Sequence, residues 1–364
     1  MKKLYILLFS AIILLGSYHE ADSQRLNRRA IKRKNKRISN FRGRKTGVFK
    51  NKRYNYIAFS LNAFNYFGDL APLSRRASTD ISFTRPGVGV LFGHRFGPRY
   101  TLRGSFTYGT IRGDDFVSAD PNDIDGQFRY LRNLQFRNRI KELTVTAMFD
   151  LFKNESSYIS RVQFTPYLFV GGTLFLHNPQ AFVPADSGLP EADSWVDLEP
   201  LGTEGQHATL LETDANFGIE PYKLLQVAIP FGIGVRYRLN QILDLSFETG
   251  IRFTWTDYLD DVSRSYVDPG VFQGSDADLA RFLADRSREV NAAVSGDTRE
   301  VLPEITAPIT ITGRDGQTYE RIRGYGFEGV DQFRGNSNDN DLYFVTSIKV
   351  AYILGSSLGR AKFR

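Results

Sequence analysis

The chain of 364 residues contains no cysteine and only two methionines. The lack of cysteine excludes disulfides and thiolate metal sites, and it suits an oxidising compartment in which a stray thiol would be a liability. Beyond residue 24 there is no run of 18 apolar residues, so the sequence provides no transmembrane helix. Between residues 24 and 53 there is no Asp or Glu, against 14 Lys and Arg. The charge is therefore segregated into a basic segment and a net acidic remainder.

Residues 1–23 have the pattern of a secretory signal peptide. Met1–Lys3 supplies the charged start, and the apolar run Leu4–Gly16 is too short to be a permanent membrane anchor. Ala21–Ser23 supplies a small-x-small cleavage site. The sequence therefore predicts that the mature protein begins at Gln24.

Residues 24–53 are predicted to form a disordered, basic, periplasmic arm, because the segment has too few large apolar groups to fold alone. Behind a signal peptide a nucleic-acid partner is disfavoured. Anionic lipid headgroups, peptidoglycan or an acidic protein are the favoured partners, and a solvated tail without a partner is the alternative. The predicted partner-binding residues are Arg28, Arg29, Lys32, Arg33, Lys34, Lys36 and Arg37.

The segment 226–256 shows the clearest structural pattern. From Val227 to Leu239, and again from Leu243 to Trp255, apolar residues alternate with small or charged ones. Each run lasts about seven dyads, whereas an ordinary strand has about five or six residues. Strands of this length are needed to cross a bilayer at a tilt of roughly 45°. The apolar face is predicted to contact lipid and the other face to line a lumen.

Six further segments read as strands of the same kind, although the fifth strand is apolar on both faces and its facing stays open. Connections alternate between short and long, as in outer-membrane barrels with short periplasmic turns and long extracellular loops. The predicted fold is all-β: an eight-stranded antiparallel transmembrane β-barrel over residues 54–356, with an extracellular loop cap, both termini in the periplasm and a periplasmic tail at 357–364. The predicted strands lie at about 56–67, 87–96, 100–111, 138–151, 163–176, 226–239, 243–256 and 341–354.

A barrel of eight strands is filled by its own side chains. Charges on its inner face must be paired, because an unpaired buried charge is costly. The residues predicted to form this lumen network are Arg103, Glu142, Arg236, Arg238, Glu248, Arg252 and Lys349.

The long loops are rich in Asp and Asn. These oxygens could hold a structural calcium ion, but no known calcium-loop spacing is present, and turns capped by Asx side chains are favoured; no cofactor is predicted. In the seventh loop, residues 276–293 are predicted to form a helix with Leu279, Phe282, Leu283 and Val290 on one face, and Ile309–Ile322 could add a hairpin.

Catalytic residues are not indicated. A barrel hydrolase would need a nucleophile and a base within hydrogen-bond reach. His177 or His207 could face Ser187 or Asp214 in the fifth loop, but no spacing supports this, and solvated loop histidines are the simpler interpretation. The chain is therefore predicted not to be an enzyme.

Several strings together resemble one family. They are 65–70, 132–142, 177–181, 197–206, 230–237 and 256–263, which lie in order within about residues 55–355. This set is similar to the family of PorG, an outer-membrane β-barrel component of the type IX secretion system, and its DUF6089-type relatives. The family-motif loop residues are Gly68, Asp69, Leu70, Asp257, Tyr258, Asp260 and Asp261.

The resemblance implies a non-enzymatic membrane protein that associates with the periplasmic ring of PorK and PorN and supports protein export and, in some bacteria, gliding. The basic arm is a departure from the family pattern, which leaves a paralogue with another periplasmic partner open. The alternative function is a surface binding module that acts through the extracellular loops.

Overall fold

The computed structural model describes residues 53–71, 83–154, 158–300, 302–327, 329 and 332–355. The predicted signal peptide, all seven predicted partner-binding residues of the basic arm and the C-terminal tail lie outside these residues. Within the described part of the chain, no helix is long and apolar enough to cross a membrane.

The described residues form twelve strands, and eight of these strands form the barrel. The neighbouring barrel strands run in the order β3, β2, β1, β12, β9, β8, β5 and β4, and pairing of β3 with β4 closes the sheet. All of these pairings are antiparallel. The strands are β1 Tyr54–Phe67, β2 Arg85–Arg95, β3 Tyr100–Asp114, β4 Gln135–Asp150, β5 Phe164–Leu176, β6 Pro179–Val183, β7 Ser194–Asp197, β8 Leu225–Arg238, β9 Leu243–Thr254, β10 Ile309–Thr312, β11 Thr318–Arg321 and β12 Leu342–Gly355.

All eight predicted barrel strands are confirmed, with ends that move by a few residues at most. The alternation has the predicted facing: in β8, Ala228 is buried while Phe231 and Ile233 are exposed on the outer face. The sequence left open which side of β5 faces the lumen. In the structure Tyr167 and Phe169 point inward and Leu168 points outward. The fold is a closed eight-stranded antiparallel β-barrel.

The lumen is packed with side chains rather than open. At the long-loop end, Phe64, Phe136, Phe175 and Tyr343 belong to one buried cluster. Phe64 occupies space that a neighbouring side chain would need, because a Cβ built on Gly109 would lie 2.2 Å from the Phe64 ring. Glycine at this position lets the aromatic ring fill the barrel interior.

The long connections fold into a structured cap, which we call the loop cap: the described residues of 68–71, 115–134, 177–224 and 255–341. The β6–β7 hairpin extends from the upper end of β4 through the pair Arg137 and Gln180, and β10 and β11 form a separate two-stranded sheet. The sequence left open whether Ile309–Ile322 adds a hairpin, and the structure contains one there. The helices are α1 Asp115–Ser118, α2 Ile124–Arg132, α3 Ala277–Ala284 and α4 Pro303–Thr306.

The predicted helix at 276–293 was wrong beyond residue 284. Leu279 and Leu283 are buried as expected, but the helix ends at Ala284 and Val290 is 51% exposed. The Asp285 carboxylate accepts hydrogen bonds from the backbone N–H and the hydroxyl of Ser287, which favours a turn over another helical turn. Side-chain bonds of this kind compete with helix propagation and are weakly visible in sequence.

Candidate functional site

Five of the six sequence strings that carry the family resemblance contact one another at the loop cap, while the sixth, 230–237, lies within β8 in the barrel wall. The Asn138 side chain donates to the Leu259 carbonyl oxygen at 2.7 Å, and Thr203 donates to the carboxylate of Asp261 at 2.5 Å. Arg132 donates to the carbonyl of Asp69 at 2.8 Å. Residues that are far apart in sequence therefore form one buried polar network over the long-loop end of the barrel.

Arg334 lies at the centre of this network and is 1% exposed. Its guanidinium contacts Glu204 at 3.2 Å and Asp261 at 3.5 Å, and it donates to the carbonyls of Asp261 and Ala284. Glu204 in turn accepts from the backbone N–H groups of Ser263 and Arg264. A buried arginine held by two carboxylates and two carbonyls fixes the relative positions of four cap segments.

A second buried arginine joins the cap to the barrel rim. Arg132, at the end of α2, forms two bonds with the carboxylate of Asp115, at 2.8 and 3.0 Å, and donates to the carbonyl of Arg334 at 2.7 Å. Asp115 is fully buried and also accepts from Arg129. The two arginines link α1, α2 and the segment before β12.

Tyr66 places its hydroxyl between two buried carboxyl groups, 2.6 Å from Asp260 and 2.7 Å from Asp341. A phenol has one proton, so it can donate to only one of these groups, and the other contact requires a protonated carboxyl that donates to the tyrosine oxygen. The second oxygens of both carboxyls accept backbone N–H bonds, from Val262 and Leu259. The two carboxyl groups and the phenol therefore share protons at this point.

Burial raises the pKa of several carboxyl groups in this region. It raises the pKa of Asp257 to about 9, and the neighbouring charges of Asp260, Asp69 and Glu204 add to the effect. Burial and nearby carboxylates also raise the pKa values of Asp260 and Asp341 well above the usual range. We call Asp257, Asp260 and Asp341 the acidic corner; their carboxyl groups hold protons more tightly than exposed carboxyl groups do.

Each family-motif residue has a structural position in the cap. Gly68 packs so closely that a Cβ there would lie 1.8 Å from the Asp341 carboxyl, and Leu70 is buried in the core cluster. The Asp69 carboxylate accepts from the backbone N–H of Asn336. Tyr258 stacks on Tyr222 with ring centroids 4.7 Å apart.

The predicted charge network in the lumen is confirmed for six of its seven members. Glu248 is 2% exposed and forms ion pairs with both Arg103 and Lys349. It also accepts a hydrogen bond of 2.6 Å from the Tyr167 hydroxyl. Two further acids form ion pairs on either side of Glu248 along the barrel: Glu142 on the cap side and Asp150 on the short-turn side. They are Arg252–Glu142 at 3.3 Å, Arg95–Asp150 at 2.6 Å and Arg236–Asp150 at 2.9 Å.

Sequence reasoning missed several members of these networks. Asp150 and Arg95 lie near the ends of two predicted strands, and although the alternation would have placed them on the inner face, neither was predicted as a member; Arg238 was predicted and takes no part in these pairs. Arg132 belongs to a family string, but Arg334 and Asp115 lie in loops where the sequence has no periodicity. Their long-range partners could not have been found from spacing.

His177 and His207, the two histidines considered for a hydrolase site, each contact other groups in the loop cap. His177 is buried, contacts Asn138 at 3.3 Å and the Lys223 carbonyl at 3.2 Å, and burial lowers its pKa to about 4. His207 contacts the Glu199 carbonyl at 2.8 Å. The structure brings neither histidine to Ser187 or Asp214, since the Asp214 carboxylate is paired with Arg314 at 2.5 Å.

The loop cap also contains an open cavity of about 310 Å³. Its walls include Gly202, His207 and Thr209 on one side and the segment 270–277 with Arg314 on the other. Its volume is at the lower end of the range of small-molecule sites. Among the residues that the structure describes, no group of three or more His, Cys, Asp or Glu side chains could hold a metal ion.

Comparison with known proteins gives one family. The family described as "Domain of unknown function (DUF6089)" matches residues 47–194, a range that includes the barrel strands β1 to β5. No curated protein matches the chain.

Solved structures of small outer-membrane barrels are similar to the chain in fold. OprG of Pseudomonas aeruginosa is 9% identical with a TM-score of 0.34 and covers 84% of this chain and 98% of its own. Neisserial surface protein A is 10% identical with a TM-score of 0.31, covering 82% and 96%. Ail of Yersinia pestis, solved with the heparin analogue sucrose octasulfate, is 5% identical with a TM-score of 0.31, covering 83% and 99%. Likenesses of this size carry no functional argument.

Proposed function

We propose that the protein is a non-enzymatic outer-membrane component of the type IX protein secretion machinery, which associates with a periplasmic ring of PorK-like and PorN-like proteins. The observation that carries this proposal is that five of the six family-resembling strings contact one another in one buried network, which includes the bonds of Asn138 with Leu259 and of Thr203 with Asp261. Strings that only happened to look alike would not be expected to form one set of contacts. The DUF6089 match over residues 47–194 supports the same assignment.

Placement in a membrane is supported by the outer face of the barrel. Phe59, Leu61 and Ile233 are 68%, 69% and 55% exposed, and they belong to an apolar surface that all eight strands share. A continuous apolar exterior of this size is unfavourable in water and matches the hydrocarbon layer of a bilayer. The proposed orientation has the loop cap outside the cell and both termini in the periplasm.

The filled lumen supports a role in binding rather than conduction. Side-chain ion pairs occupy three levels of the interior, and the cavity among Tyr56, Arg103 and Lys349 is only about 20 Å³. The surfaces that remain for partners are the basic arm, the short turns and the loop cap. We assign the periplasmic contact to the arm and to turns such as Asn240–Gln241.

The test is co-purification from the native outer membrane. A C-terminally tagged protein, mildly solubilised, should bring PorK-like and PorN-like proteins, identified by mass spectrometry. Reversing the charges of Arg28, Arg29, Lys32, Arg33 and Lys34 should reduce their recovery, while reversing Arg264 and Arg323 on the loop cap should not. Unchanged recovery in the arm variant would contradict the role of the arm, and absence of ring proteins from the wild-type sample would contradict the secretion assignment.

The cavity in the loop cap favours a second candidate, a surface module that binds an extracellular ligand. Replacing Ser275, an exposed residue of the cavity wall, by Trp should then abolish binding to a target surface and leave secretion intact. Ser295→Trp, on an exposed loop that does not line the cavity, is the matched control. Loss of secretion in Ser275→Trp would argue against a purely surface-binding role.

A further inference from the structure

One sector of the barrel exterior differs from the rest in charge. In the eight barrel strands, all of which the structure describes, the outward positions hold apolar or uncharged side chains except in β3 and β4. There the outward side chains near the loop cap are cationic. We call this group the basic patch: Arg112, Arg137, Arg139 and Lys141.

The basic patch borders the apolar exterior directly. In the β3–β4 register Lys141 is opposite Tyr108, and two residues further along β4 Leu143 is opposite Phe106. Leu143 is 59% exposed, as expected for a lipid-facing residue. Long cationic side chains at such a border lay their stems over apolar surface and extend their charged ends toward the headgroups.

The cations of the patch are close together and incompletely neutralised. Arg112 lies directly opposite Arg137 in the register, and like charges in that relation are destabilising. Arg112 is paired with Asp114 at 2.8 Å, and Arg137 donates to Gln180 at 2.9 Å. Arg139 and Lys141 are exposed, and neither side chain forms a hydrogen bond or ion pair with any residue in the described ranges. The patch thus contains two cations, Arg139 and Lys141, that no carboxylate of the described residues pairs with.

A tryptophan lies beside the basic patch, at the same height along the barrel. Trp195 of β7 lies under the Arg137 guanidinium, 3.9 Å from ring centroid to Cζ. Tryptophan is enriched where barrels pass from hydrocarbon to headgroup. The patch therefore lies at the depth where lipid headgroups begin, beside surface that acyl chains would cover.

We propose that the basic patch binds the phosphate groups of a phosphorylated glycolipid in the outer leaflet, with the acyl chains against Leu143 and Phe106. A membrane lipid satisfies both observations at once, because its phosphates neutralise Arg139 and Lys141 and its chains cover the adjoining apolar face. This inference rests on the proposed membrane placement and orientation, but not on the secretion partners.

The experiment compares the wild-type protein with Arg139→Gln/Lys141→Gln. Both are purified in detergent, and the thermal unfolding midpoint is measured with added bis-phosphorylated lipid A, with dephosphorylated lipid A and with inorganic phosphate. Each cation near an anionic lipid surface contributes roughly a fivefold factor in affinity. The double variant should therefore need a lipid concentration about 25-fold higher for the same shift in unfolding midpoint, so the shift is lost at the concentration that is sufficient for the wild type. Arg264→Gln/Arg323→Gln, with the same change in net charge on the exposed loop cap, is the control.

Stabilisation of the wild type and the control by phosphorylated lipid A alone, with the shift lost in the double variant, supports the proposal. Equal stabilisation by dephosphorylated lipid, or by inorganic phosphate, overturns it. An Arg139→Lys/Lys141→Arg variant keeps the charge and should retain the shift, and its loss there would also overturn the proposal. Heat-modifiable migration in gel electrophoresis confirms that each variant forms the barrel, so failure of membrane folding is separated from failure of lipid binding.

Discussion

At the residue scale, buried arginines hold the loop cap together. Arg334 and Arg132 each join carboxylates and backbone carbonyls that belong to different loops, and both are nearly inaccessible to solvent. The planar guanidinium provides five donors in a fixed arrangement, which suits a position where several acceptors converge. Removing such a group leaves buried carboxylates without a partner.

We predict that Arg334→Met loosens the loop cap while the barrel persists. The change leaves the Glu204 and Asp261 carboxylates without their cation, which costs about 3–5 kcal/mol. The measurement is limited proteolysis of the folded protein in detergent, where cleavage between β9 and β12 should accelerate. Arg323→Met, at an exposed cap position, is the control, and equal cleavage of the two variants would contradict the prediction.

The acidic corner predicts a pH dependence of the cap. Asp257 has a folded pKa of about 9, against about 4 in an unfolded chain, so between these values the folded state holds a proton that the unfolded state has released. Stability from this group is therefore fully present below about pH 4 and is lost as the pH rises towards 9. The pKa values of Asp260 and Asp341 are also raised in the folded state, so these groups contribute in the same direction.

Asp257→Asn should make the stability of the cap less dependent on pH, because the amide cannot ionise. Proteolysis of the cap at pH 5 and pH 9 measures this: the wild-type cap should be cleaved faster at pH 9, and the variant should show a smaller difference. Asp297→Asn, on an exposed loop, should behave as the wild type does. A variant with the same or a larger pH difference would show that Asp257 is not the group responsible.

At the element scale, sequence periodicity predicted the barrel strands well and the cap poorly. An alternation of period two along β8 and β9 is a local consequence of having lipid on one face and a packed lumen on the other, so it can be read from sequence. The cap depends on contacts such as Arg132 with the Arg334 carbonyl, across 202 residues, which leave no periodic trace. The early end of α3 has a different cause, the local hydrogen bonds from Ser287 to the Asp285 carboxylate.

The lipid-facing assignment of β4 predicts a large effect from one charge. Val145 is 52% exposed in the middle of the strand, and Val145→Arg should destabilise the barrel in lipid vesicles by about 2–4 kcal/mol, the cost of a cation at the bilayer midplane. Equilibrium unfolding in denaturant measures this cost. Leu211→Arg, 54% exposed but in the loop cap, should cost far less, and equal costs for the two variants would contradict the lipid-facing assignment.

At the scale of the whole molecule, the lumen and the cap together make a closed body. Ion pairs at Asp150, Glu248 and Glu142 fill the barrel from the short turns to the rim, and the Arg334 network covers the long-loop end. Such a body presents one surface to each side of a membrane and an apolar exterior between them. Its proposed work is to hold partners on those surfaces, with the basic arm on the periplasmic side.

The measurement that tests this account most directly is the membrane topology of single-cysteine variants, because the chain has no cysteine of its own. Gln273→Cys lies in the exposed part of the loop cap, and Asn240→Cys lies in a short turn. A membrane-impermeant maleimide applied to intact cells should label Gln273→Cys at once and Asn240→Cys only after the outer membrane is permeabilised. Labelling of Asn240→Cys but not Gln273→Cys in intact cells would contradict the orientation on which the proposed function depends.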